Sequence, residues 1–145
     1  MNVSEILERK GDRVVTVAPE DPVRSVVGTL SSNGFGAVVV SSDGSSIDGI
    51  VSERDIVRQI GHEGERILDQ PARSIMTAPV KTCSPSDKVD ELMTRMTEHR
   101  IRHLPVTSEA GVLAGMISIG DVVKWRVTEL ERDMGHLEDY IKQGW

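Results

Sequence analysis

Two stretches of this sequence place a serine and an aspartate three residues apart, at points where a strand is expected to give way to a helix. They are Gly49-Ile50-Val51-Ser52-Glu53-Arg54-Asp55 and Gly115-Met116-Ile117-Ser118-Ile119-Gly120-Asp121. The free amides at the start of a helix favour a nearby anion such as a phosphate. An ionised aspartate offers two acceptor oxygens and no donor, which suits the two adjacent hydroxyls of a ribose. Each stretch is therefore a candidate binding site for a polar ligand with these groups.

The same pattern also has a purely structural interpretation, the capping box. In a capping box the serine hydroxyl accepts from a backbone amide inside the helix, and the acidic side chain accepts from the amide of the serine. Such a cap stabilises a helix by about 1 kcal/mol and binds nothing. The pattern alone leaves ligand binding and helix capping as alternatives.

Both stretches belong to an internal repeat with an offset of 66 residues. Ten of the 42 residues from 16 to 57 recur unchanged at that offset, against about three expected from average composition. Each copy predicts the order strand, helix, strand, strand, helix, beginning at the extended segments Val14–Val17 and Val80–Cys83. One copy alone buries too little surface, so we expect an α/β (α+β) fold whose two units pack through their sheets. Residues 61–76 predict a connector with short helical turns, and Val3 to Arg9 predict a helix that covers an edge of the core.

Composition and charge disfavour several classes of function. The net charge of -6 and the 3% aromatic content disfavour binding to a nucleic-acid backbone or to stacked bases, with RNA binding through Arg100 and Arg102 left as an alternative. No nucleophile and base stand at a recognisable spacing, and no metal-ligand pattern occurs, so we expect neither an enzyme nor a metal site. The single cysteine, Cys83, favours a reducing compartment, and no apolar run is long enough to span a bilayer. We therefore expect a cytoplasmic protein without a membrane anchor.

The last part of the chain predicts a long helix with an apolar seam. Its apolar residues alternate in steps of four and three along one face, at Val123, Val127, Leu130, Met134, Leu137 and Ile141. A seam of this length is expected to pack against another helix, and the same helix of a second copy in a twofold dimer is the leading candidate. The alternative is that the seam folds back over the core of its own chain.

The repeated pattern resembles the cystathionine-β-synthase (CBS) domain family. The resemblance rests on Gly-apolar-apolar-Ser-x-x-Asp in both copies, and on the strands that precede it, Phe35-Gly36-Ala37-Val38-Val39-Val40 and Ile101-Arg102-His103-Leu104-Pro105-Val106. The segment Met76-Thr77-Ala78-Pro79-Val80 also resembles the start of a unit in this family. The resemblance covers about residues 8 to 125 and implies a tandem pair of units with pseudo-twofold symmetry. We expect units at 8–66 and 74–128, and a helical extension at 129–145.

In that family, tandem units bind adenine-containing ligands in their clefts, such as AMP, ADP, ATP, NAD or S-adenosylmethionine. The resemblance implies that Asp55 and Asp121 hold ribose hydroxyls, that Ser52 and Ser118 lie close to them, and that Ile50 and Met116 line the base pocket. It further implies contributions from the segments before the first strand of each unit and from the start of the second strand. These residues are Asp12, Arg13, Thr77 and Ala78, and then Phe35, Gly36, Ala37, Ile101, Arg102 and His103.

The two copies differ in charge, because the counterpart of Arg54 is Gly120. The planar guanidinium group of Arg54 suits a phosphate, so the first copy is expected to be the better site for a phosphorylated ligand. The second copy would need other cations, such as Arg100, Arg102 or His103. A solvated Arg54 and a structural His103 are the alternative interpretations.

These expectations favour a regulatory module that senses an adenine nucleotide, without any catalytic cofactor, and that forms a homodimer through its CBS units and its C-terminal helix. The chain contains no effector domain of its own, so its output would pass through an unknown partner protein in trans. The alternative from a different class is a structural homodimerisation module, in which the Ser-x-x-Asp pattern only caps helices.

Overall fold

The computed structural model describes residues 1–144 as two α/β units followed by a long helix. The first unit contains β1 (Thr16–Val17), α2 (Val23–Asn33), β2 (Ala37–Val40), β3 (Gly49–Ser52) and α3 (Glu53–Glu63), preceded by α1 (Val3–Lys10). The second contains α4 (Val89–His99), β4 (His103–Thr107), β5 (Leu113–Ser118) and α5 (Ile119–Gln143). The connector forms two short 3₁₀ turns, Glu65–Asp69 and Ala72–Ser74. The predicted α/β class, the tandem repeat and the long C-terminal helix are confirmed.

The two sheets differ in their first strand. In the first unit β1 pairs in parallel with β2, and β2 pairs antiparallel with β3. In the second unit, β4 and β5 form an antiparallel pair, while the predicted strand Val80–Cys83 is reduced to one parallel bridge between Cys83 and Val106. Pro105 stands where the first unit has Val39, and it has no N–H to extend a parallel ladder. The prediction of a full strand at 80–83 was therefore wrong.

Two left-handed residues turn the chain from a helix into the next strand. Gly34 follows α2 with a φ of 65°, as predicted from its position. Its counterpart after α4 is Arg100, which adopts the same conformation with a φ of 53°. Both turns direct the chain into the start of a central strand, where residues 35–37 and 101–103 were expected to contribute to binding.

Each unit's core is completed by the segment that precedes the other unit. Val3 and Ile6 of α1 are fully buried in the core of the second unit, although α1 precedes the first. Ile67, Ala72 and Ile75 of the connector are buried in the core of the first unit. We call residues 1–10 and 65–79 the lead-in segments.

The backbone contacts of the lead-in segments follow the same symmetry. The Val3 amide donates to the Asp87 carbonyl at 2.9 Å, and the Ala72 amide donates to the Asp21 carbonyl at 2.8 Å. Asp21 and Asp87 are equivalent positions of the repeat. The exchange is therefore reciprocal, and it gives the pair of units its pseudo-twofold character.

The exchange depends on two equivalent glycines, one in each hairpin. A Cβ atom at Gly49 would lie 2.7 Å from Cγ and 3.0 Å from Cβ of Met76, and one at Gly115 would lie 2.8 Å from Cδ2 of Leu7. Leu7 and Met76 belong to the two lead-in segments. The repeat thus keeps glycine where the other unit's lead-in segment packs against the hairpin.

Gly49→Ala is expected to lower the free energy of unfolding by about 1–3 kcal/mol, because the added methyl group overpacks against Met76. The matched control is Gly28→Ala in α2, where a Cβ atom would meet nothing within 4 Å. That substitution is expected to raise stability by about 0.5–1 kcal/mol, since alanine is the better helix former. Urea denaturation of both variants measures the two effects, and equal stabilisation by both would contradict the packing argument.

The long helix α5 leaves the second core and exposes its predicted seam. Val122 and Trp125 are buried, and the Arg9 guanidinium group lies 4.5 Å from the centre of the Trp125 ring. The six seam residues from Val123 to Ile141 are each between 47% and 63% exposed, so the seam does not fold back over its own core. Among residues 1–144, no helix is long and apolar enough to cross a bilayer.

Candidate functional site

Both Ser-x-x-Asp stretches form capping boxes. The Ser52 amide donates to Oδ2 of Asp55 at 2.9 Å, and the Asp55 amide donates to Oγ of Ser52 at 3.1 Å. In the second copy the Ser118 amide donates to Oδ2 of Asp121 at 2.9 Å, and the Asp121 amide donates to Oγ of Ser118 at 3.2 Å. Each cap uses one carboxylate oxygen only. Helix capping therefore leaves the other oxygen of each aspartate able to accept from a ligand.

Asp121 also binds a lysine from the first lead-in segment. The Nζ atom of Lys10 donates to Oδ2 of Asp121 at 2.6 Å and to the carbonyl of Met116 at 2.9 Å. Burial raises the pKa of Asp121, but the hydrogen bonds from Lys10 and Ser118 outweigh it and leave the pKa below its usual value. Asp121 is therefore ionised at neutral pH, and Lys10 is the nearest cation to it.

A cleft of about 430 Å³ lies beside this ion pair and is formed by both units. Its walls come from the chain after α1, from the turn before β2, and from strands β4 and β5 of the second unit. The lining residues are Lys10, Gly11, Arg13, Val14, Val15, Gly34, Phe35, Gly36, Ala37, His103, Met116 and Ser118. The cleft combines apolar walls with a small number of charged groups, which is typical of small-molecule sites.

His103 closes the cleft against the first unit. A Cβ atom at Gly36 would lie 3.0 Å from Cε1 of His103 and 3.1 Å from Oε1 of Glu53, so only glycine fits at this position without movement. Burial lowers the pKa of His103, and the positive charge of Lys10 lowers it further. The imidazole is therefore neutral at pH 7, where one ring nitrogen can donate and the other can accept.

The structure gathers seven of the expected site residues in this cleft, with Asp121 joined to them through Lys10 and Ser118. The seven are Arg13, Phe35, Gly36, Ala37, His103, Met116 and Ser118. Three others lie outside its lining. Asp12 and Arg102 are exposed, and Ile101 packs against the second core.

The remaining expected residues surround the first capping box. Ile50 and Thr77 exchange two backbone hydrogen bonds, of 2.9 and 3.1 Å, so the second lead-in segment runs beside β3. Thr77, Ala78 and Arg54 are exposed, and Arg58 approaches Oδ1 of Asp55 at 3.9 Å. Each lead-in segment thus lies beside the Ser-x-x-Asp stretch of the opposite unit, whereas the family resemblance had grouped it with its own unit.

Sequence reasoning missed five of the lining residues, namely Lys10, Gly11, Val14, Val15 and Gly34. The apolar spacing of α1 predicted only a helix that covers the core, and nothing in that pattern points to Asp121, which lies 111 residues away. Because Gly120 replaces Arg54 in the second copy, we expected another cation near Asp121, but the sequence did not identify that cation as Lys10. In the described part of the chain, no group of three or more histidine, cysteine or acidic side chains could hold a metal ion.

A family model described as "CBS domain" matches the chain twice, at residues 3–62 and 72–128. A curated relative, the mitochondrial CBS domain-containing protein CBSX3 of Arabidopsis thaliana, is 34% identical over 151 residues. That match covers 99% of this chain and 73% of the relative. The two matched segments include both capping boxes and all twelve residues that line the cleft.

Solved structures with the same fold support the comparison. A CBS-domain containing protein of Agrobacterium tumefaciens superposes with a TM-score of 0.83 at 44% identity, covering 87% of this chain and 99% of that one. A CBS domain protein of Pyrobaculum aerophilum, solved in complex with AMP, superposes with a TM-score of 0.71 at 30% identity. That match covers 83% of this chain and 89% of the other.

Proposed function

Since the chain belongs to the CBS domain family and contains two tandem units, we propose that it is a regulatory module that binds an adenine nucleotide and acts on a partner protein in trans. The observation that carries this proposal is the cleft between the units. There a half-buried, ionised Asp121 lies beside Lys10, with Arg13 and His103 in the same walls. A carboxylate next to basic groups suits a ligand that has both a sugar diol and a phosphate.

We assign the residues of the cleft to parts of the nucleotide. Asp121 accepts hydrogen bonds from the ribose hydroxyls, and Ser118 lies next to them. Met116 and the apolar wall formed by Phe35, Gly36 and Ala37 contact the adenine ring. Around the first capping box, Asp55, Ser52, Ile50, Thr77 and Ala78 would form the second, equivalent site.

AMP is the first ligand to test, because the Pyrobaculum aerophilum protein was solved with AMP bound. ADP, ATP and NAD share its adenosine 5′-phosphate group and remain candidates. Their additional groups all attach at that phosphate, away from the ribose hydroxyls that Asp121 would hold. We propose a binding and regulatory role for all of them, with no catalytic step.

Isothermal titration of the full chain with AMP, ADP, ATP and NAD tests the proposal. We expect saturable binding of at least one of them at micromolar to millimolar concentration, with one or two sites per chain. A titration with GMP serves as the matched control for the base. The absence of binding by all four adenine nucleotides up to millimolar concentration would refute the proposed function.

A second candidate function, a structural homodimerisation module, is favoured by one specific observation. The seam of α5 presents six apolar residues to solvent along one face. We propose that the seam pairs with a second copy of the chain, so that nucleotide binding and dimerisation belong to one module. Binding can then shift the pose of the units only if the ligand prefers one arrangement over the other.

We keep 8–66 and 74–128 as the bounds of the units and 129–145 as the helical extension, of which residues 129–144 are described. We also keep the cytoplasm as the location, while the name of the Arabidopsis thaliana relative assigns that protein to mitochondria. Cys83 is consistent with a structural role, since burial raises the pKa of its thiol to about 12.

A further inference from the structure

We infer that Lys10 determines the preference of the Asp121 cleft for phosphorylated ligands. The ammonium group that Asp121 holds in this structure is released to the phosphate when a nucleotide occupies the cleft. The inference rests on the proposed function and goes beyond it, because it assigns ligand selectivity to a residue of the first lead-in segment.

The hydrogen bonds of Asp121 show why Lys10 and a ribose compete. Oδ2 accepts from three donors, namely the Ser118 amide at 2.9 Å, the Ser118 hydroxyl at 3.0 Å and Lys10 Nζ at 2.6 Å. A carboxylate oxygen has about two lone-pair positions, so Oδ2 already accepts from as many donors as it can hold, and a ligand hydroxyl can bind it only by replacing one of the three. The two Ser118 donors belong to the helix cap, so Lys10 is the donor that a ribose hydroxyl would replace on Oδ2, and the displaced ammonium group then needs another anion.

Lys10 is placed so that it can reach that anion. It is the last residue of α1, and Gly11 follows it with a φ of 95°, so the helix ends at this point. Its side chain is 36% exposed and lines the cleft together with Arg13. Lysine carries a point charge on a flexible stem of four carbons, which can move between two acceptors without a change in the backbone.

The charges of the cleft also favour a phosphate. Lys10 and Asp121 pair with each other, Arg13 is a positive group and His103 is neutral in the same walls, and the Glu53 carboxylate lies beside Gly36 and His103. A phosphate monoester carries between one and two negative charges at neutral pH. Once the ribose has taken the place of Lys10 on Asp121, Lys10 and Arg13 can both pair with the phosphate oxygens, while Asp121 keeps its negative charge and accepts from the ribose hydroxyls.

The first capping box has no equivalent of this lysine. Lys10 donates to the carbonyl of Met116, whereas the carbonyl of Ile50, the equivalent position of the first unit, accepts from the Thr77 amide. The Arg54 side chain that was expected to serve this copy is exposed, and Arg58, which is also exposed, approaches Oδ1 of Asp55 only to 3.9 Å and makes no hydrogen bond to it. The selectivity for a phosphate should therefore belong to the Asp121 cleft, which reverses the expectation drawn from Arg54 and Gly120.

The test compares AMP with adenosine, which differ only in the phosphate, on wild type and on Lys10→Gln. We expect wild type to bind AMP at least about tenfold more tightly than adenosine, since charge-assisted hydrogen bonds are the stronger ones. Lys10→Gln should lose that preference, with AMP weakened about tenfold and adenosine bound as well as before or more tightly. Lys10→Arg should retain most of the preference. Lys142→Gln, an exposed lysine near the end of α5, is the matched control and should leave both affinities unchanged.

Each result decides between the inference and its rivals. If wild type binds AMP and adenosine equally, or if Lys10→Gln weakens both ligands to the same extent, the inference is wrong while the proposed function stands. If neither ligand binds wild type and no other adenine nucleotide does, the proposed function fails, and the inference fails with it. Circular dichroism melting of each variant shows that a lost affinity does not come from unfolding.

Discussion

Asp121→Ala is expected to weaken the binding of an adenine nucleotide at least about a hundredfold, while lowering the free energy of unfolding by only about 1 kcal/mol. Two hydrogen bonds from ribose hydroxyls to an ionised carboxylate are lost, and each is worth a tenfold change in affinity or more. The cost to stability is that of one helix cap and one partly exposed ion pair. Isothermal titration and urea denaturation of the same preparation measure the two effects.

The equivalent substitution in the first copy is the matched control. Asp55→Ala removes the same type of cap, in which Ser52 and Asp55 exchange two hydrogen bonds of 2.9 and 3.1 Å. It should therefore lower the free energy of unfolding by a similar amount. Its effect on affinity should be confined to the site around Asp55. If Asp121→Ala lowers stability but leaves nucleotide affinity unchanged, Ser118 and Asp121 act only as a capping box, and the structural alternative is correct.

Leu130→Glu combined with Leu137→Glu is expected to convert a dimer into monomers, raising the dissociation constant more than about a thousandfold. Both side chains lie in the seam of α5, at 47% and 58% exposure in the single chain. In a dimer the two substitutions would place four carboxylates in an apolar interface without partners, and each such group costs several kcal/mol. The fold of each monomer should be unaffected, because neither leucine is part of a core.

Sedimentation velocity between 1 and 100 μM measures the change in assembly. The matched control is His136→Glu combined with Gln143→Glu, which adds carboxylates at exposed positions of the same helix, outside the seam. That variant should remain dimeric. Wild type that sediments as a monomer up to 100 μM would exclude pairing through the seam, and it would leave the nucleotide-binding proposal untouched.

Much of the fold follows from local patterns in the sequence. The 66-residue repeat predicted two similar units, and the apolar spacing of α2 and α4 identified the buried faces around Val26 and Leu92. The Ser-x-x-Asp spacing predicted where α3 and α5 begin, and both capping boxes have formed. These features depend on contacts within a few residues, or on a periodicity that one strand or helix carries by itself.

The exchange of the lead-in segments could not be predicted in this way. The first segment is the regular helix α1, whereas the second forms 3₁₀ turns, so they share no recognisable pattern despite their equivalent packing. The contact between Lys10 and Asp121 depends on that exchange. It therefore could not be predicted from the spacing of residues in the sequence. The loss of the strand at 80–83 depends on Pro105 in a neighbouring strand, which is likewise a tertiary effect.

The exchange of lead-in segments has a consequence for a chain with only one unit. Such a chain would lack the helix or turns that complete its core, and it could obtain them only from a second copy by domain swapping. Its folding would then depend on protein concentration. Joining two units in one chain makes the same exchange intramolecular, at a high effective concentration that dilution cannot lower. The tandem arrangement thus converts an assembly reaction between molecules into a folding reaction within one.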